Sequence, residues 1–153
     1  MQVFIPFPDI QKTARALDYR RLGKQRVEAW QLLEAMRHKA ENDLYNANGK
    51  KRGWLTHKCT IMWEPYAPYL AFYALLICAE WKRRNYQENM TPRFERFLEN
   101  SSEIVPPCWW GREDIHASHR AVLMQKDPVA YQSFAAITPP DVSEYVWVTY
   151  DTP

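Results

Sequence analysis

Four cations fall within seven residues in the stretch Asp18-Tyr19-Arg20-Arg21-Leu22-Gly23-Lys24-Gln25-Arg26-Val27-Glu28. On a helix, Arg20, Lys24 and Val27 share one stripe, and Arg21, Gln25 and Glu28 share the next. A cluster this dense can neutralise phosphates. Equally, it can be a solvated helix face with Asp18 and Glu28 as local counter-ions. Three further basic runs stand beside aromatic residues: Lys50-Lys51-Arg52 before Trp54, Lys82-Arg83-Arg84 after Trp81, and Arg112 after Trp109-Trp110. Cations contact phosphates while indole faces stack on unpaired bases, so Trp54 and Trp109 are candidate stacking residues. Buried tryptophans filling a core are the competing reading. His116-Ala117-Ser118-His119-Arg120 sets two imidazoles at i,i+3, with His57 elsewhere in the chain. A metal site would need three or four ligands. Glu113, one turn before His116, is the local carboxylate placed to complete a site, and no cysteine stands at ligand spacing. The expectation is therefore no metal and no cofactor, with His57, His116, His119 and Arg120 available to phosphates or to backbone carbonyls.

These groups must be carried by helices. Leu17, Leu22, Val27, Trp30, Leu33 and Met36 recur near a period of 3.6 over 10–41, which predicts helix. Asp9 is a good N-cap, and Gly23 predicts a kink or turn over 18–23 between a short helix and a longer one. The segment 66–84 is apolar almost all round until Glu80, the mark of a buried central helix. Thr91-Pro92 predicts a short helix to Glu99 with Thr91 as N-cap. Helix is predicted over 112–125, and Asp127-Pro128 predicts the start of another reaching about Ala135. Pro6 and Pro8 hold residues 2–8 extended, and the aromatic tail beyond Pro139-Pro140 is read as extended too. The fold class is mainly α: a single compact helical domain over 1–153 with extended N- and C-terminal segments.

Composition bounds the alternatives. The chain has 153 residues, is 46% hydrophobic and 25% charged, and carries a net charge of +2. Those values fit a globular protein and exclude a disordered or collagen-like one. Four glycines leave no glycine-rich phosphate loop and no dinucleotide fingerprint. Three widely spaced cysteines read as reduced thiols. No signal peptide is legible at the N-terminus, and the longest apolar stretch is half of the ~20 residues a membrane span needs. The expected location is the cytoplasm.

Several of these strings resemble the pyrimidine-dimer DNA glycosylases of the phage endonuclease V type. Asp18-Tyr19-Arg20-Arg21-Leu22 is similar to that family's acidic-Tyr-Arg-Glu-Leu segment. Ala47-Asn48-Gly49-Lys50-Lys51-Arg52 resembles its Ala-Asn-Gly-Lys-Arg loop. The stretch 57–84 resembles its turn and long helix, and 118–131 resembles its aromatic C-terminal segment. The strings Leu22-Gly23-Lys24-Gln25-Arg26-Val27-Glu28 and His116-Ala117-Ser118-His119-Arg120 look like those of small bacterial and phage proteins grouped with these glycosylases.

The resemblance implies a compact helical fold that binds and bends DNA. It implies an N-terminal α-amine that attacks C1′ of a damaged nucleotide through a Schiff base, and an acidic residue that assists. The family's glutamate falls on Arg21, so Glu28, on the same stripe two turns on, is the expected acid/base, with Asp18 the other nearby carboxylate. The bulk of Gln2 disfavours removal of the initiator, which assigns the amine to Met1. Arg20 matches the family's phosphate-contacting arginine, with Arg21, Lys24, Gln25 and Arg26 in the same segment. The function expected is a DNA glycosylase, with or without abasic-site lyase activity, acting on a base exposed from the stack. A non-catalytic DNA- or nucleotide-binding protein of the same fold and a nucleotide-processing enzyme remain as alternatives.

Overall fold

The structure, a computed structural model, describes residues 1–148 and 150. Among these, six α-helices run in the order α1 (Ile10–Ala16), α2 (Tyr19–Ala40), α3 (Lys58–Trp63), α4 (Ala67–Arg83), α5 (Thr91–Glu99) and α6 (Glu113–Lys126). Short 3-10 turns follow α3 and α6. The expected mainly α fold is what the chain adopts, and residues 1–5 and 145–148 lie outside regular structure as extended segments were expected to.

The elements start where local chemistry dictates. The Asp9 carboxylate accepts from the Lys12 amide and caps α1. His57 Nδ1 accepts from the Cys59 amide and caps α3, a helix the sequence pattern did not reveal. Helix α4 is the hub. It buries Leu70, Ala71, Tyr73, Ala74, Ile77 and Cys78 and packs against α1, α2 and α5. Arg84, just past its end, donates to the carbonyls of Ala14, Arg15 and Leu17, closing α1. That arginine, in the run after Trp81, is therefore a helix cap.

The expected break between a short helix and a longer one falls at Leu17-Asp18, while Gly23 sits inside α2. A Cβ there would stand 2.9 Å from Trp81 Cη2, so the glycine permits close approach of α2 to α4. Two other boundaries differ from expectation. Met90, not Thr91, is the N-cap of α5. The Asp127 carboxylate caps only a turn, accepting from the Ala130 amide, and the next helical piece is the 3-10 turn Gln132–Ile137.

The N-terminal segment runs through the core as an extended chain with no strand beside it; among the described residues the sole β-bridge joins Tyr45 and Lys51. Val3 to Phe7 are buried. Buried backbone groups must find partners, and here side chains supply them. Gln25 Nε2 donates to the Gln2 carbonyl at 2.8 Å, and Gln25 Oε1 accepts from the Phe4 amide at 2.9 Å. The Tyr73 hydroxyl donates to the Phe4 carbonyl. His119 Nδ1 accepts from the Ile5 amide, and His116 Nδ1 donates to the Ile5 carbonyl. Arg120 donates to the Pro6 carbonyl, Thr13 pairs with both backbone groups of Phe7, and Trp110 donates to the Pro8 carbonyl.

Candidate active site

That clamp revises several sequence-based assignments. His116, His119 and Arg120 are 0%, 2% and 3% exposed and hold backbone, not phosphate. His116 donates through Nδ1 and accepts the Gly111 amide at Nε2, so neither nitrogen is left for a metal. Burial, with neighbouring His116 in the same direction, pushes His119 down to about 3, so it stays a neutral acceptor. Arg120 also reaches Thr138, the Ile137 carbonyl and Glu113. Gln25 is spent on the Gln2, Phe4 and Tyr73 groups. Arg26 points away to Glu88 at 2.7 Å and lies over the Trp81 ring. Burial raises the Glu88 carboxyl, but hydrogen bonds from Thr91, Met90 and Arg26 outweigh it and hold the group at about 2. Trp109 is 1% exposed, edge-on to Trp63, and offers no face to a base.

The remaining predicted residues come together. A cleft of about 750 Å³ is lined by Met1, Arg20, Arg21, Lys24, Gln25 and Glu28, all expected, and by Gln2, Phe4, Lys126, Asp127 and Tyr145, which were not among the expected site residues. The clamp positions its first wall. With residues 2–8 fixed, the Gln2 amide donates to Glu28 Oε2 at 3.3 Å. Met1, which also lines the cleft, directly precedes that amide in the chain. Helix α2 supplies the second wall. Arg20 is exposed, with its guanidinium over the Tyr19 ring. Lys24 is exposed, and among the described residues it has no ion-pair partner.

Arg21 bonds Asp18 at 3.1 Å. Asp18 also accepts from the Tyr131 hydroxyl. Burial raises the Asp18 carboxyl, yet these two donors bring it below its ordinary value. Asp18 is thus committed to its neighbours, and Glu28 is the carboxylate that takes the Gln2 amide. Lys126 and Asp127, at the end of α6, form the far lip. Four cations and two carboxylates give the cleft a net positive rim suited to an anionic strand.

His57 and Trp54 stand next to this region. Partial burial lowers the His57 imidazole, and the positive N-terminus and Lys58 add to that. Its ring packs edge-on against Trp54 at 5.2 Å and Trp147 at 6.2 Å. Trp54 is 43% exposed and holds a left-handed backbone at φ 67°, a conformation that costs a bulky residue energy. Its ring borders a second groove of about 430 Å³ lined by Lys50, Lys51 and Arg52.

The pyrimidine dimer DNA glycosylase family model matches residues 1–93. The chain belongs to this family. The match takes in Met1, the α2 wall, Glu28 and the Trp54 groove, so the glycosylase region contains the amine, the carboxylate and most of the cations. Lys126, Asp127 and Tyr145 lie outside the matched region and complete the cleft from the C-terminal side. No curated protein and no solved structure matches the chain. No described helix is long and apolar enough to cross a membrane.

Proposed function

We propose that the protein is a DNA glycosylase with abasic-site lyase activity, acting on a damaged or modified base turned out of the duplex. The observation that supports this reading is a cationic cleft lined by both Met1 and Glu28, with the Gln2 amide bonded to the Glu28 carboxylate. Arg20, Lys24 and Lys126 take phosphates, Arg21 adds charge while held by Asp18, and Trp54 stacks on an unpaired base with His57 behind it. The neutral Met1 amine attacks C1′. Its lone pair forms the new C–N bond as the glycosidic bond breaks, and the base leaves with the bonding pair and a proton. Sugar ring opening gives an imine. Loss of a 2′ proton with departure of the 3′ phosphate then nicks the strand. Glu28 stabilises the developing cation and moves protons.

Borohydride reduction on DNA carrying an abasic site tests this. A covalent adduct is expected, and an N-terminal extension should abolish it. Glu28→Gln should slow turnover by about 100-fold, the lower range for a general acid–base group, with DNA affinity kept. No adduct, or full adduct yield with the extended N-terminus, overturns the chemistry.

One observation favours a second reading. Arg21 occupies the place of the family's glutamate and is paired with Asp18. A non-catalytic DNA-binding protein of this fold would bind with strong salt dependence and form no adduct.

A further inference from the structure

The groove between α2 and the 45–54 loop shares no lining residue with the cleft, yet the two meet on one helix face. Arg20, Lys24, Val27 and Gln31 are exposed and spaced four, three and four apart, so they form one stripe of α2. Lys24 lines the cleft, Gln31 lines the groove, and Val27 is 43% exposed between them. Seven residues of helix set Lys24 and Gln31 roughly 10 Å apart along the axis. Most polar groups of the groove are already paired. Glu34 accepts from Arg37, His38 and Arg52 meet Asp43, and Asn46 Oδ1 accepts from the amides of Asn48 and Lys50. The Gln31 carboxamide and the ammonium groups of Lys50 and Lys51 have no partner among the described residues. Trp54, across from them, is held in place. Its carbonyl accepts from Thr60 Oγ1 at 2.6 Å and from the His57 amide at 3.4 Å, which fixes the left-handed backbone. Strain of this kind persists only where the surroundings enforce it, and it gathers at ligand sites.

We propose that an unpaired stretch of the attacked strand leaves the cleft over Val27 and enters this groove, where one base stacks on Trp54 and meets Gln31 at its edge while its phosphate goes to Lys50 and Lys51. The proposal rests on the glycosylase reading, which places the reacting nucleotide in the cleft. A paired base is stacked on both faces and has none to offer an indole, so the groove's occupant is unpaired. At about 3.4 Å per stacked nucleotide, the span along α2 puts that occupant two or three positions from the one attacked. The strand is the same one, because the exposed stripe runs from cleft to groove without a break. An indole and a free carboxamide suit a base, and two unpaired ammonium groups suit its phosphate, so the groove matches a whole nucleotide and not an anion alone. The substrate class that follows is DNA already unpaired beside the lesion, as in a bubble or a single strand, in preference to continuous duplex.

The test uses fluorescence anisotropy with a bubble DNA in which a tetrahydrofuran abasic analogue is flanked on each side by a few mismatched nucleotides. In two companion DNAs the flanking bases are deleted and the backbone kept, either on the analogue's strand or on the strand opposite. The parent protein should lose about tenfold in affinity when the bases of the analogue's strand are deleted, by the worth of one base–aromatic stack, and little when those opposite are deleted. Trp54→Gly, which suits the left-handed backbone, should bring that loss below about threefold. Gln31→Ala should reduce it as well. Lys50→Ala with Lys51→Ala changes two exposed side chains and should lower the salt slope on the bubble by about 0.7 for each phosphate contact removed. Equal affinity for the bubble and for its companion without bases on the analogue's strand overturns the proposal. A loss that follows the opposite strand, an undiminished loss in Trp54→Gly, or a full salt slope in the lysine variant overturns it too. Adduct formation on abasic DNA reports separately on the amine: no adduct with the base-dependent loss intact removes the catalytic reading and leaves the strand path standing, whereas an adduct without that loss removes the path alone.

Discussion

Helices α2 and α6 carry similar inventories of basic and polar side chains, and the protein uses them in opposite ways. On the cleft face of α2, Arg20 and Lys24 stand in water with their donors available to a ligand. On α6, His116, His119 and Arg120 are buried and spend their donors and acceptors on the backbone of residues 5 and 6. Residue type says what a group can donate or accept. Only the packing says whether its partner is a ligand or the chain itself. Gln25 and Arg20 make the same point within one helix, five residues and less than two turns apart.

That contrast can be broken first on the α6 side. Arg120→Ala strips the donor from the Pro6 and Ile137 carbonyls, and each buried acceptor left unpaired costs about 1–3 kcal/mol. Urea unfolding should therefore show a loss of several kcal/mol, while Arg20→Ala stays within about 0.5 kcal/mol, as surface changes do. Equal losses would erase the distinction.

Acid sharpens it next. His119 titrates at about 3 in the folded protein, below the roughly 6.5 of an unfolded histidine. The unfolded chain takes the proton first, so the stability His119 contributes is complete above about pH 6.5 and drains as pH falls towards the folded value. The thermal midpoint should drop steadily between pH 6.5 and 4.5, and His119→Gln, which keeps an acceptor but cannot titrate, should flatten that slope. A pH-independent midpoint in the parent would mean that the clamp does not depend on a neutral imidazole.

On the α2 side, Arg20→Ala with Lys24→Ala should reduce the slope of log affinity against log salt by about 0.9 for each phosphate no longer neutralised, with stability nearly unchanged. Retention of the full slope would return both residues to the solvated face. The smallest effect is expected at Gly23. Alanine there gains about 1 kcal/mol of helix propensity but presses on the Trp81 ring, which Tyr86 stacks at 4.0 Å and Arg26 covers. Overpacking costs about 1–3 kcal/mol, so the net loss is about 1 kcal/mol by denaturant titration. A stabilised variant would show that the ring can move.

The helices were legible because their signals are local. The apolar run of α4 marked a buried element, though Leu75 within it is only half-buried while Leu70 and Ile77 are fully so. Arg20, Lys24, Arg21 and Glu28, read as neighbouring helix stripes, line one cleft together with Met1, which only the family resemblance had pointed to. The clamp was not legible from residue types, because histidine, glutamine and arginine bond a phosphate or a carbonyl equally well. A signal did exist in its counterpart. Residues 2–7 are largely apolar, hold a proline, and have no sheet to join in a helical chain, so their backbone groups demanded side-chain partners. Tyr145 and Lys126 carried no such signal; their place in the cleft follows from how the chain returns after α6.

The threaded N-terminal segment also dictates an order of assembly. Its bonds to α6 span 111 to 114 positions of sequence, among the most distant pairings the chain makes. Pairings so remote close late, after the loops between them have been organised. During synthesis residues 5 and 6 emerge long before α6, the helix that supplies their partners. The cleft therefore comes into being only when α6 is in place, and a product stalled after residue 93 would carry the family's sequence without the clamp that seats its N-terminal segment.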